Sequence, residues 1–247
     1  MVFRNRIAVV SSKGGVGKSS AACFLAKAFA KRLPNRVGLL DSDIHGPSTP
    51  KLLKVNPKIE YSGEFIKPIM VDGLKVMSLG FLAPERAAIL WGGLKEVDAV
   101  WQMTFTVNWG DLDYLIIDMP PGSGDEFKAV MSFIKPNGAI IITTPRLLDS
   151  IVIKSISALR LINVPIIGAV ENFSGFKCPC GCNKTYFEGD SKMLKQEDIK
   201  LLAQVPQDLE YPSAMESAMM RVSERVQAFC EELEEKAVEK KKKEAGK

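Results

Sequence analysis

The sequence lacks what would place it in a membrane, outside the cell or on a nucleic acid. Nowhere do eighteen apolar residues run together, so no spanning helix is expected. The apolar run near the start, "IAVV", gives way at once to "SSKGG", far too short for a secretory leader. Excess charge is missing from the body as well. The net +4 is accounted for by the last twelve residues, "KAVEKKKKEAGK", with six Lys against two Glu, so residues 1–235 balance at 27 of each sign. A neutral body offers no electrostatic footprint for nucleic acid, and the lysine run at about 236–247 reads as a solvated helix end or tail. The expected compartment is the cytoplasm. In that reducing setting clustered cysteines act as metal ligands or redox thiols before they act as disulfides.

There are five cysteines, and three of them fall within "KCPCGCNK": Cys178, Cys180 and Cys182. Structural thiols, a zinc knuckle, a redox pair and half of a metal site completed elsewhere are all compatible with that spacing. Cys23 and Cys230 stand alone in helix-like stretches and read as packing residues.

Short apolar runs alternate with amphipathic stretches along most of the chain. Strands are expected at 6–11, 36–41, 74–79, 113–118, 138–143, 165–170 and 199–205, nearly continuous in Val, Ile and Leu as in parallel strands covered on both faces. Helices are expected near 18–32, 93–107, 125–134, 149–161 and 213–243. This alternation predicts an α/β fold: a doubly wound, mostly parallel sheet with helices on both faces, in a single domain over 1–247. Two stretches break the rhythm, 44–73 and the cysteine-bearing insertion at about 171–198. Irregular excursions of that length in a compact domain are usually functional.

The first expected strand runs into "SSKGGVGKSS" and then into a helix. Strand, glycine-rich turn and helix N-terminus make a phosphate-binding loop, with backbone N–H groups of Gly14, Gly15, Val16 and Gly17 pointing at phosphate oxygens. Lys18 supplies the counter-charge, Ser19 a hydroxyl for Mg²⁺, and Ser20 continues the loop into the helix. The usual pattern begins with glycine where this chain has Ser12. A second lysine, Lys13, opens the loop. In this it resembles the deviant Walker A group of MinD, ParA and the nitrogenase iron protein, a resemblance that implies phosphoryl transfer to water with Lys13 reaching across a homodimer to the partner's nucleotide. Asp41 and Asp43 end the second strand and Asp118 ends "LIID", all at the edge where open α/β sheets bind ligands. Asp118 suits a place beside Mg²⁺. By resemblance, Asp43 orients the attacking water and Asp41 supports the metal, although such acids also cap turns and helices. "PPGSGD", 120–125, has the composition of a switch loop. His45, the single histidine, lies beside these acids and receives no role.

Further motifs, "LLDSDIHGPSTPKLL", "VMSLGFL", "DLDYLIIDMPPGSGDE", "IITTPRLLDS" and "GAVENFSGFKCPCGC", follow in the order and spacing of the Mrp (ApbC) family, which residues 5–215 resemble. The resemblance implies a P-loop ATPase that carries or scaffolds iron–sulfur clusters for apoprotein acceptors, with neither nucleic acid nor membrane as partner. It also implies that Asn172 recognises adenine and that the segment around Pro206 closes over the base. The family's "CPxC" is altered here to cysteines at 178, 180 and 182, and its "WRGP" is replaced by "WGGL" at 91–94. Two thiolates per chain cannot complete a Cys₄ set, whereas two chains on a twofold axis can, so a bridging [4Fe–4S] cluster is expected, with zinc as the alternative occupant. A positioning switch like MinD or ParA is the competing function. A terminal helix with little apolar face beyond Val238 speaks against the membrane form of that reading.

Overall fold

The structure, a computed structural model, describes residues 2–44, 46–55, 57–81, 93–145, 149–177, 183–184, 191–207 and 211–245. In chain order the elements are β1 (Phe3–Val10), α1 (Lys18–Arg32), β2 (Val37–Asp41), α2 (Thr49–Leu53), the hairpin β3 (Tyr61–Ser62) and β4 (Phe65–Ile66), β5 (Ile69–Val71) and β6 (Leu74–Ser78). Then follow α3 (Gly93–Phe105), β7 (Leu112–Asp118), α4 (Asp125–Ile134), β8 (Gly138–Thr143), α5 (Asp149–Leu161), β9 (Ile166–Lys177), β10 (Asn183–Lys184), α6 (Ser191–Gln196), β11 (Leu201–Gln207) and α7 (Tyr211–Ala245).

Seven of the strands lie parallel in the order β11-β9-β8-β1-β7-β2-β6, with β5 antiparallel on the outer side of β6 and β10 antiparallel to the end of β9. The physical basis is visible along β1, where successive side chains go to opposite faces. Ile7 and Val9 join one buried cluster with Leu39, Ile116, Ile140 and Ile142, and helices α1 and α7 cover it. Ala8 and Val10 join the other with Leu40, Leu115, Ile117 and Ile141, against residues of α3, α4, α5 and α6. A strand that must be apolar on both faces can show no polar alternation, so the continuous runs in the sequence are a direct consequence of double cover. Helix α1 presents Ala21, Ala22, Leu25, Ala26 and Phe29 inward, and Phe29 stacks on Tyr114 at 4.1 Å. Helix α7 buries Met215, Ala218, Met219, Val222, Val226 and Cys230 at helical spacing, and beyond Cys230 its described residues are largely exposed. Among the described residues no helix is long and apolar enough to cross a membrane.

The described residues of the two stretches expected to be irregular include regular elements. Residues 44–73 hold α2, the β3–β4 hairpin and β5, and Ile66 bridges to Val107 behind α3. In 171–198, strand β9 continues to Lys177 and pairs with β10 through Lys177↔Asn183 and Phe176↔Lys184. Polar and aromatic residues at 171–177 hid that extension, because the strand leaves the doubly covered part of the sheet there.

Gly168 sits in β9 where an added Cβ would meet the Lys200 carbonyl oxygen at 2.5 Å, the same oxygen that accepts the Ala169 N–H. Backbone cannot yield as a side chain does, so Gly168→Ala is expected to destabilise by about 1–3 kcal/mol in urea denaturation, the range for overpacked interiors. A midpoint equal to wild type would show that β9 and β11 are not this tightly apposed.

Candidate functional site

Strand β1 delivers the chain to a loop at the C-terminal edge of the sheet. Gly15 and Gly17 adopt φ of 81° and 86°, which favours glycine, and they turn the loop into α1. Gly14 is different, since it has neither positive φ nor any atom within 4 Å of an added Cβ. Among the described residues nothing packs against Gly14, and the space beside it and Gly15 is open. Val16 is buried and anchors the loop, and its carbonyl accepts from Asn172 Nδ2 at 2.9 Å. Ser11 Oγ donates to the Lys13 carbonyl at 3.0 Å, and Gly122 N–H, from the "PPGSGD" segment, donates to the Ser11 carbonyl at 2.8 Å. Ser12, where the usual pattern has glycine, needs no left-handed backbone, and its hydroxyl shares a 2.7 Å hydrogen bond with that of Ser155 on α5.

The charged groups meet beneath this loop. Lys18, in the first turn of α1 and only 6% exposed, places Nζ 2.5 Å from Asp118 Oδ1 and 3.6 Å from Asp43 Oδ2. Asp41 and Asp118 are direct neighbours on β2 and β7, and Ser42 ties the strand ends by donating its N–H and its hydroxyl to the Asp118 carbonyl. The two buried acids differ in how they are satisfied. Asp41 accepts from Ser78 Oγ (2.9 Å), Thr49 N–H (3.3 Å) and Asp43 N–H (3.2 Å), so both of its oxygens are occupied by protein donors. Asp118 Oδ2 is buried and has no hydrogen-bond partner. Burial pushes both carboxyls above the usual range, Asp41 to about 7, while Lys18 pulls each back down. Asp118 and Asp43 face a single ammonium, which leaves the pocket short of positive charge. A divalent cation would supply it, and the oxygen left without a donor belongs to Asp118.

The remaining expected residues are placed as follows. Ser19 and Ser20 are half-buried at the start of α1. Lys13 is exposed, and among the described residues its side chain makes no hydrogen bond or ion pair. Asn172, expected at the base, is buried with its amide nitrogen committed to the loop, and Pro206 is half-buried in β11. Cys178, Cys180, Cys182 and His45 lie outside the described residues, and among the described residues no cluster of metal-ligating side chains occurs. The paired Lys177 and Asn183 do bring together the two ends of the segment that carries the three cysteines. Sequence reasoning missed Ser78, Thr49 and Ser155. Only Ser78 carried a signal, as a polar residue closing an apolar strand beside Asp41.

A family model described as the NUBPL iron-transfer P-loop NTPase matches residues 2–241. The chain belongs to that family. The iron–sulfur cluster carrier protein of Methanocaldococcus jannaschii is 41% identical over 229 residues, covering 89% of this chain and 78% of that protein. A nucleotide-binding protein from Archaeoglobus fulgidus, solved with ADP and cobalt, superposes with a TM-score of 0.73 at 36% identity, covering 89% of this chain and 88% of that one. The septum site-determining protein MinD of Pyrococcus horikoshii, solved with Mg-ADP, superposes at 0.66 with 19% identity, covering 90% and 95%, and shares the fold. The doubly wound parallel sheet around the phosphate-binding loop is therefore that of a P-loop NTPase.

The elevated Asp41 carboxyl has a consequence for stability. A buried acid that holds its proton up to about 7 stabilises the fold most below the ordinary carboxyl value of about 4 and loses that contribution as pH rises through about 7. Thermal denaturation of the nucleotide-free protein in EDTA should show stability falling across that window, and Asp41→Asn should flatten the fall. An unchanged pH slope in the variant would exclude Asp41 as its source.

Proposed function

We propose that the protein is an ATP-hydrolysing carrier that works as a homodimer, binds an iron–sulfur cluster through its cysteine segment and delivers it to apo iron–sulfur proteins in the cytoplasm. The observation that carries this reading is that one strand serves both ends of it. Asn172 on β9 holds the phosphate-binding loop, and Lys177, five residues on, pairs with Asn183 to flank Cys178, Cys180 and Cys182. The family and the cluster-carrier relative support the cargo, and the P-loop family together with the open backbone at Gly14 and Gly15 supports the nucleotide.

In this reading the ATP phosphates settle on the loop and take Lys18 from Asp118, exchanging one anionic partner for another. Ser19 and the freed Asp118 would hold Mg²⁺, which when bound neutralises phosphate charge. Asp41 keeps Asp43 in place through its amide, and Asp43 orients the water that attacks the terminal phosphorus as the bond to the ADP oxygen breaks. Lys13 has no partner among the described residues of its own chain, and it is assigned to the nucleotide of the partner subunit. Two thiolates from each of two chains complete the cluster's ligand set. The balanced charge of residues 1–235 and the mostly solvated end of α7 support a protein acceptor over DNA or a membrane.

Two experiments test the proposal. Lys18→Ala should abolish ATP binding, while Lys13→Ala should bind ATP and lose turnover by about a thousand-fold or more, as for a charge supplied in trans. Normal turnover in Lys13→Ala would remove the trans assignment. Anaerobic reconstitution with iron and sulfide should give one four-iron cluster per two chains, and single Cys→Ser replacements at 178, 180 and 182 identify its ligands. A fully loaded monomer, or zinc retained with no iron uptake, would contradict the cargo and its bridging geometry.

A further inference from the structure

Strand β9 changes character at one point along its length. Up to Glu171 it is supported on both sides, by β8 through Thr143↔Glu171 and by β11 through Gln204↔Glu171. Side chains reinforce that grip: Glu171 is buried and accepts from Gln204 Nε2 at 2.8 Å, and Asn172 holds Val16 of the phosphate-binding loop. Immediately afterwards β8 has ended and the register with β11 slips. Asn172 faces Val205 and Phe176 faces Gln207, so β9 advances four residues while β11 advances two. The surplus is taken up by a bulge at Phe173–Gly175, where Phe173 adopts φ of 56°. A bulky side chain is disfavoured in that left-handed conformation, so the bulge persists because its surroundings impose it. Beyond it, Phe176 and Lys177 pair with Lys184 and Asn183 of β10.

We propose that the bulge at Phe173–Gly175 is a hinge through which the phosphate-binding loop sets the pose of the β9–β10 hairpin. This rests on the carrier reading above and specifies the route by which nucleotide state reaches the cysteines. The nucleotide loop and the near side of the hinge form one unit, because Asn172 joins Val16 to β9. The hairpin forms the other, held to the sheet among the described residues through Phe176↔Gln207. A shift of Val16 as the loop closes on phosphates moves Asn172. The residue with the least favourable backbone, Phe173, is the next to respond. Phe173 touches neither phosphate nor metal in this scheme and is a positioning residue.

Thiol labelling reads the hinge without any cluster. Cys23 and Cys230 are buried, and burial raises both thiols, so both are slow toward a maleimide, and labelling is read by peptide mass at Cys178, Cys180 and Cys182. In metal-free, reduced wild type, Mg-ATP should change the labelling rate about five-fold or more, the usual size of coupling between sites. Phe173→Asn, which tolerates the left-handed conformation, should keep that response. Phe173→Val, which does not, should bind ATP with unchanged affinity and lose it. An equal response in Phe173→Val and wild type would overturn the hinge, as would loss in both variants alike, which would trace the effect to the missing ring. Hydrogen exchange in the wild type needs no substitution: ATP should alter protection at 173–177 and leave 166–171 unchanged, and a uniform change or none would also overturn it. ATP binding without any change in labelling sinks the hinge alone, whereas absence of ATP binding sinks the carrier reading together with it.

Discussion

Lys18 is the group around which the site is organised. Its ammonium is removed from water and placed against Asp118 and Asp43, with Asp41 one strand away. A lone buried cation or a lone buried carboxylate would be strongly disfavoured, and each is tolerated here because the other is present. The ends of β2, β6 and β7 are built to support this arrangement. Ser42 joins β2 to β7, and Ser78 of β6 satisfies Asp41. The set remains short of one positive charge, with an oxygen of Asp118 unpaired. A phosphate with its metal ion would give Lys18 an anionic partner and Asp118 a cationic one.

The same logic extends along β9. Asn172 belongs electrically and sterically to the nucleotide side, since its amide is spent on the Val16 carbonyl. The pairing of Lys177 with Asn183 belongs to the cysteine side. Between them lies the part of the strand that neither β8 nor an in-register β11 supports. Strand β9 is thus paired on both sides beside the P-loop and more sparsely paired near Lys177. Binding energy gained at one end can bias the other only if both prefer the same conformation.

Much of the fold was legible because double-sided burial leaves an unmistakable trace. Runs such as "LII" (115–117) and "AIII" (139–142) are apolar at every position, and the structure places them in central strands. The phosphate-binding loop was equally plain, since glycines at 15 and 17 answer to backbone geometry. The contacts that hold the loop were not legible. Ser155 lies on α5 and reaches Ser12 across a sequence separation of 143, and Asn172 reaches Val16 across 156. No local pattern encodes such partners. The extension of β9 through Phe173 was hidden for a related reason, because a bulge breaks the very periodicity by which strands are read.

The position of Lys18 in a crystal grown with Mg²⁺ and a non-hydrolysable ATP analogue tests this picture most directly. Lys18 Nζ on phosphate oxygens, with Asp118 released and facing the metal, is the predicted result. A Lys18–Asp118 pair that survives intact beneath a bound nucleotide would contradict it.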